Sequence, residues 1–189
     1  MSRALLFQQE YFYENSPVDK NTDYELIRPV LWDCQERYIK DIIGSPLYNV
    51  ITAEIIANGG TLTTARLVTL TNDYLAPCLL NYTLKESMIN LLFKIRNRSI
   101  TTDRSENSDP IDRSELKLLE DRYRERAEVY AEKIERYICA NQSTYPEYST
   151  YTSSDEVRAQ NQRPTTGLYL GGMRKGGNGY GYEYYEENR

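Results

Sequence analysis

Histidine is absent from all 189 residues, which removes the commonest general base and metal ligand at neutral pH. No Ser-His, Cys-His or H-E-x-x-H arrangement can be built, and no lysine or carboxylate pattern marks a replacement. The expectation is a protein that is not an enzyme, with no catalytic residue, cofactor or metal. Cysteine is scarce: Cys34, Cys78 and Cys139 are odd in number, widely spaced and without a C-x-x-C pair. Each lies in a helical, apolar context, so buried reduced thiols are expected rather than disulfides or thiolate ligands. No apolar run approaches the roughly 20 residues that cross a bilayer. The opening MSRALLFQQEYF lacks the longer apolar region and small-residue cleavage site of a signal peptide. The chain is therefore expected to be made, and to stay, in a cytoplasm. A basic excess is missing too: the net charge is −5 and the mean hydropathy −0.69, so nothing favours wrapping phosphates.

What is present is helical periodicity. Ile27, Leu31, Cys34, Tyr38 and Ile42 recur at steps of three and four, which places them on one face of a helix from about Asp23 to Ile43. Asn21, Thr22 or Asp23 caps its start, and Pro29 in the second turn delays the regular helix to Arg28 or Pro29. Gly44 takes the left-handed conformation that ends it, and Pro46 suits the first turn of a second helix over Leu47–Ala57. That helix stops at Asn58-Gly59-Gly60. A short helix over Thr64–Thr71 and a buried one over Asp73–Arg98, apolar round most of its circumference, follow. Ser99–Pro110 is polar and turn-rich, either mobile or a β-hairpin remnant. The last helix, about Ile111 to Ala140, carries a narrow stripe of Leu116, Leu119, Tyr123, Tyr130, Ile134 and Tyr137 among charges. Its protruding part either presents a solvated face or contacts another protein.

Both ends differ from this core. In residues 1–20 the cluster Phe7, Tyr11, Phe12 and Tyr13 needs a partner, supplied either by the chain's own domain or by a neighbouring subunit. Residues 141–189 hold 8 of the 18 tyrosines, and 164–189 hold 7 of the 10 glycines. That composition is too poor in aliphatics for a core. The fold expected is all-α: a small helical bundle over 21–140 with a long C-terminal helix, an extended N-terminal arm over 1–20, and an extended Gly/Tyr-rich docking tail over 141–189. Tyrosine offers large contact area for few rotatable bonds, so Tyr169, Tyr180, Tyr182, Tyr184 and Tyr185 join Phe7, Tyr11, Phe12 and Tyr13 as the candidate partner-binding residues.

Three fragments imitate other sites. Gly171–Gly177 (GGMRKGG) resembles a phosphate loop in composition but lacks the G-x-x-x-x-G-K-[ST] order and a preceding strand. Aromatic tails stack on bases, yet Glu183, Glu186 and Glu187 surround these tyrosines. Lys94, Arg96 and Arg98 form a basic cluster, which a helix C-terminus favours in any case through its dipole. From Asp103 to Ala140 there are 11 acids against 8 bases, a solvated face or a weakly DNA-repelling channel wall.

The order of motifs resembles head–tail connector (adaptor) proteins of tailed bacteriophages, nearest to those of Bacteroides and crAss-like phages. The shared pattern is Asn21-Thr22-Asp23 before Ile27, then Gln35-x-x-Tyr38-Ile39-x-x-Ile42-x-Gly44 and Leu47-Tyr48. A Gly-Gly loop at 59–60, Asp73-Tyr74-Leu75-x-Pro77, and a long final helix with Tyr130 and Tyr137 complete it. The resemblance covers about Thr22 to Ala140. It implies a structural virion protein, made in the host cytoplasm, that forms a twelve-fold ring with itself beneath the portal. Such a ring extends the DNA channel, completes the head and joins portal to further ring or tail proteins, while DNA passes without sequence-specific binding. The other class the residues allow is a helical nucleic-acid-binding adaptor with a disordered Gly/Tyr-rich tail.

Overall fold

The computed structural model describes residues 4–96, 99–102, 113–150 and 157–159, with side chains described for 4–88, 114–150 and 157–159. A short helix, α1 (Gln9–Asn15), is followed by a long rod. That rod is α2 (Tyr24–Cys34), a π-helical turn (Gln35–Ile39) and α3 (Lys40–Ile43). Helix α4 (Ser45–Ala57) comes next, then a second rod of α5 (Ala65–Leu70), another π-helical turn (Thr71–Leu75) and α6 (Ala76–Leu92). After a hairpin, β1 (Phe93–Arg96) and β2 (Ser99–Thr102), the long α7 (Arg113–Ala140) runs along α6. A single 3-10 turn (Pro146–Ser149) completes the described elements. The fold is all-α, a helical bundle with a long C-terminal helix and one small antiparallel hairpin, in which Phe93 faces Thr102 and Arg96 faces Ser99.

The Asp23 side chain accepts the Glu25 N–H at 3.0 Å, so α2 begins at Tyr24 and Pro29 sits inside it. One missing hydrogen bond near a helix start is tolerated when the following turns are packed. Each π-helical turn adds a residue and rotates the face that points inward. Ile27, Leu31 and Cys34 are buried before the first one, and Gln35, Ile39, Ile42 and Ile43 in and after it. The rotation leaves Tyr38 half-buried, its ring stacked on Tyr82 at 4.1 Å and 5°. Gly44 closes the rod with φ +80°, as the sequence requires. The buried helix ends at Leu92 rather than Arg98. Lys94 and Arg96 therefore lie in β1, which starts at the residue after that helix end, while Asn97 and Arg98 fall outside the described residues.

Two boundaries move. Residues 4–15 are not an extended arm on this domain: they form a bend and α1, with Leu6, Phe7 and Phe12 in the core. Nor does the domain stop at Ala140. Tyr145 and Tyr148 are 1 % and 2 % exposed, and the short segment 157–159 contributes Ala159 to the same core. Arg66 of α5 grips Glu147 through Nη2–Oε1 at 2.6 Å and Nη1–Oε2 at 3.0 Å, and Nη1 also donates to the Thr144 carbonyl. The Tyr145 hydroxyl donates to the Arg66 carbonyl at 2.8 Å. Val157 and Ser45 exchange two hydrogen bonds, Ser45 N to Val157 O at 2.8 Å and Val157 N to Ser45 Oγ at 2.9 Å. The first satisfies one of the donors that a helix N-terminus leaves open. Cys34 and Cys78 are buried as expected, and burial pushes the Cys34 thiol up to about 12. Cys139 is exposed, because it lies on the outer side of the last turn of α7 rather than in its stripe.

The loop between α4 and α5 turns at Gly59 (φ +67°) and Gly60 (φ +107°). Glu54 Oε1 accepts the N–H groups of Thr63 and Thr64, both at 2.7 Å, and the Thr63 hydroxyl at 3.0 Å. The Thr64 and Thr63 backbone bonds hold its carboxyl down at about 2, from an ordinary value of 4.5. A depressed folded-state pKa contributes stability that is complete above about 4.5 and is lost as pH falls through about 2. Because Glu54 lies at the surface, water screens the effect. Glu54→Gln should cost about 0.5 kcal/mol at pH 7, the low end for a helix cap, and only a small part of that at pH 2. Urea titrations of both proteins at the two pH values test this; an equal cost at both would show that charge is not involved.

Candidate docking groove

Gln35 lies in the core with no exposure. A buried amide must find partners. Its Oε1 accepts the Leu6 N–H at 3.0 Å, and its Nε2 donates to the Ala4 carbonyl at 2.9 Å and to the Tyr48 hydroxyl at 2.8 Å. Tyr48 donates onward to Glu36 Oε1 at 2.6 Å, and Lys40 meets the other Glu36 oxygen at 3.1 Å. Burial pushes the Tyr48 hydroxyl pKa up; the Gln35 bond opposes that rise and the Glu36 carboxylate adds to it. This network pins residues 4–6 to the rod, so the N-terminal segment arrives at α1 in a defined place.

Where it arrives, α1, α6 and α7 enclose an open groove of about 600 Å³. Tyr11 and Asn15 of α1, with Pro17, form one wall, and Pro77, Leu80, Asn81 and Leu84 of α6 form the floor. Arg122, Tyr123, Arg126 and Tyr130 of α7 form the other wall. The spacing 123 and 130 lies along one helix face, and 122 and 126 are one turn apart beside it. The Arg126 guanidinium sits 5.7 Å from the Tyr123 ring centre. Burial, then the nearby Tyr130, raises the Tyr11 hydroxyl pKa. The described lining thus presents three tyrosines, two guanidinium groups and no carboxylate. Its volume falls within the roughly 300–1,000 Å³ of sites that take small ligands or a few side chains. Chemically it can stack aromatic rings and pair with carboxylates.

Of the residues singled out from sequence, Tyr11 lines this groove. Phe7 and Phe12 are 6 % and 0 % exposed, so they are corrected from partner contacts to core residues of their own chain. Apolar rings so close to a bundle bury more cheaply against it than against a second subunit. Phe12 packs edge-on to Tyr13 at 5.7 Å and near Tyr24 at 6.3 Å, while Tyr13 is half-buried and donates to the Thr22 carbonyl. Tyr169, Tyr180, Tyr182, Tyr184 and Tyr185 lie outside the described residues. Gln35, Arg66, Tyr145, Arg122 and Arg126 are not among the site residues expected from the sequence, Gln35 entering there only as part of a motif. A signal existed for Gln35, a polar residue in an apolar stripe, and for Arg122 and Arg126, which flank a tyrosine stripe one turn apart. None existed for Arg66, whose partner is 81 residues away. No group of three or more Cys, Asp or Glu among the described residues is placed to hold a metal ion, and no described helix is long and apolar enough to cross a membrane.

The model of a family described as "Family of unknown function (DUF6712)" matches residues 39–158, well over half the chain. The chain belongs to the DUF6712 family. The matched region runs from the first π-helical turn to the segment beside Ser45, so it includes the α6–α7 side of the groove and the contacts of Thr144, Tyr145 and Glu147 with Arg66 of α5. The α1 wall lies outside it. No curated protein and no solved structure matches the chain.

Proposed function

We propose that this DUF6712 protein is a structural virion component, a ring subunit beneath the portal at the head–tail interface of a tailed phage. It extends the DNA channel, completes the head and joins portal to the next ring or tail protein. It does no chemistry and lets DNA pass without reading its sequence. The resemblance over Thr22–Ala140 supplies the class of assembly, and one structural observation carries the reading. From Ser114 to Arg126 no side chain of α7 is buried, although this half of the helix holds Leu116, Leu118, Leu119 and Tyr123. Leu118 is 71 % exposed, and Val129 further along is 51 % exposed. At about 1.5 Å per residue the helix is roughly 42 Å long, and its first half is a surface that a neighbouring subunit would cover. A heterologous contact of this kind closes into a ring when the rotation allows.

The test is the mass distribution of the full-length protein, alone and mixed with the portal protein of its phage. A large discrete oligomer is expected in one of the two conditions, and Leu118→Arg should abolish it while leaving the melting temperature unchanged. A protein that stays monomeric and ignores portal refutes the reading. Salt-dependent binding of an oligonucleotide would then favour the nucleic-acid adaptor.

A further inference from the structure

We infer that the groove between α1, α6 and α7 is the docking site for the chain's own C-terminal segment, Tyr180–Glu187. The inference rests on reading the groove as a protein-docking site but not on the ring. The segment YGYEYYEE holds four tyrosines, three glutamates and no basic residue. The groove offers the complement, with Tyr11, Tyr123 and Tyr130 as stacking partners and Arg122 and Arg126 as the charges. The segment carries three carboxylates against two guanidinium groups one helical turn apart.

Reach allows it. The last described residue, Ala159, is anchored in the core of the same domain. Residues 160–179 connect it to Tyr180, and a chain of 20 residues spans at most about 70 Å. A glycine-rich chain of that length has an r.m.s. span of about 25 Å, against a radius of gyration of about 15 Å for a domain of 150 residues. Every face of the domain is therefore within reach.

Tethering decides between the same chain and a neighbour. Solvent-exposed ion pairs contribute only about 0–1 kcal/mol each, too little to hold a free peptide. A tethered segment sees its site at an effective concentration of about millimolar. At lower protein concentration the chain's own tail outcompetes that of any other copy. A tail docked this way also covers the wall of α7 next to Leu118 until a stronger partner displaces it.

The experiment uses the full chain with a photoreactive benzoylphenylalanine at position 184, in an equal mixture of isotope-labelled and unlabelled protein below micromolar concentration. After irradiation, crosslinks from 184 should map to residues 77–84 and 122–130, each joining peptides of one isotope. Crosslinks elsewhere only, or peptides of mixed isotope, overturn the inference. Arg122→Glu with Arg126→Glu should cut the crosslink yield about fivefold. Adding Glu183→Lys, Glu186→Lys and Glu187→Lys in the same chain should restore it. A yield unaffected by charge reversal also overturns the inference. Both arginines are exposed, and circular dichroism checks that the variants fold; were one to misfold, the crosslink map of the otherwise unaltered chain still decides. A positive map with a protein that ignores portal would uphold the docking and sink the ring, and the converse pair of results would do the reverse.

Discussion

A chain shortened after residue 140 should lose cooperative unfolding, whereas one shortened after residue 163 should unfold as the full chain does. The difference lies in 23 amino acids, of which Tyr145, Tyr148 and Ala159 are buried in the core. Tyr145 and Tyr148 are almost wholly enclosed, and deleting a large buried aromatic side chain costs about 3–5 kcal/mol. Two such losses total roughly 6–10 kcal/mol, against a whole stability of about 5–15 kcal/mol for a domain of this size. The polar contacts aggravate the loss. Arg66 would lose its bidentate partner Glu147, and the Arg66 carbonyl its bond from Tyr145. Ser45 would lose both bonds to Val157 at the start of α4. Urea titration followed by circular dichroism measures this. A steep transition in the protein ending at 140 would mean that the C-terminal return only decorates a domain that stands without it.

Phe12→Ala should lower stability by about 3–5 kcal/mol and the urea midpoint by about 2 M. Phe12 has no exposed surface and packs with Tyr13 and Tyr24, so truncation leaves a cavity that α1 is too short to close. Gln35 adds to the expected size of the effect. It is committed to Leu6 N and the Ala4 carbonyl, so the segment cannot slide to refill the space without stranding a buried amide. An arm that left its own domain to clasp a neighbour would behave differently: the isolated protein would lose almost nothing, and only the assembled form would weaken. A cost below about 1 kcal/mol in the monomer would therefore restore the extended arm.

The periodic parts of the chain were readable because local geometry governs them. The stripe Ile27, Leu31, Cys34 and Ile42 is buried as its spacing implies, and Gly44 ends the rod with a positive φ. The long charged helix runs from Arg113 to Ala140, close to its expected bounds. Its charges pair along the helix surface, Arg136 with Glu132, and Arg124 with Asp121 and Glu128. The π-helical turns left no such mark, since one inserted residue costs little locally and is selected by what it brings to the core. Tyr38 and Ile39 show the result, with the expected core tyrosine half out and its neighbour fully in.

The fold class, the order of the helices from Tyr24 onward, the glycine corners and the lack of histidine chemistry were all legible in the chain, because each depends on residues within a few positions of one another. Where the domain ends, and which aromatics belong to it, depends on packing between distant segments. Phe12, Tyr145 and Tyr148 sit in segments whose composition resembles that of an arm or a tail. Their burial depends on surfaces built by residues far along the chain, such as Arg66 and Gln35. The groove has the same origin, because its two arginines and its floor meet only when α7 packs along α6.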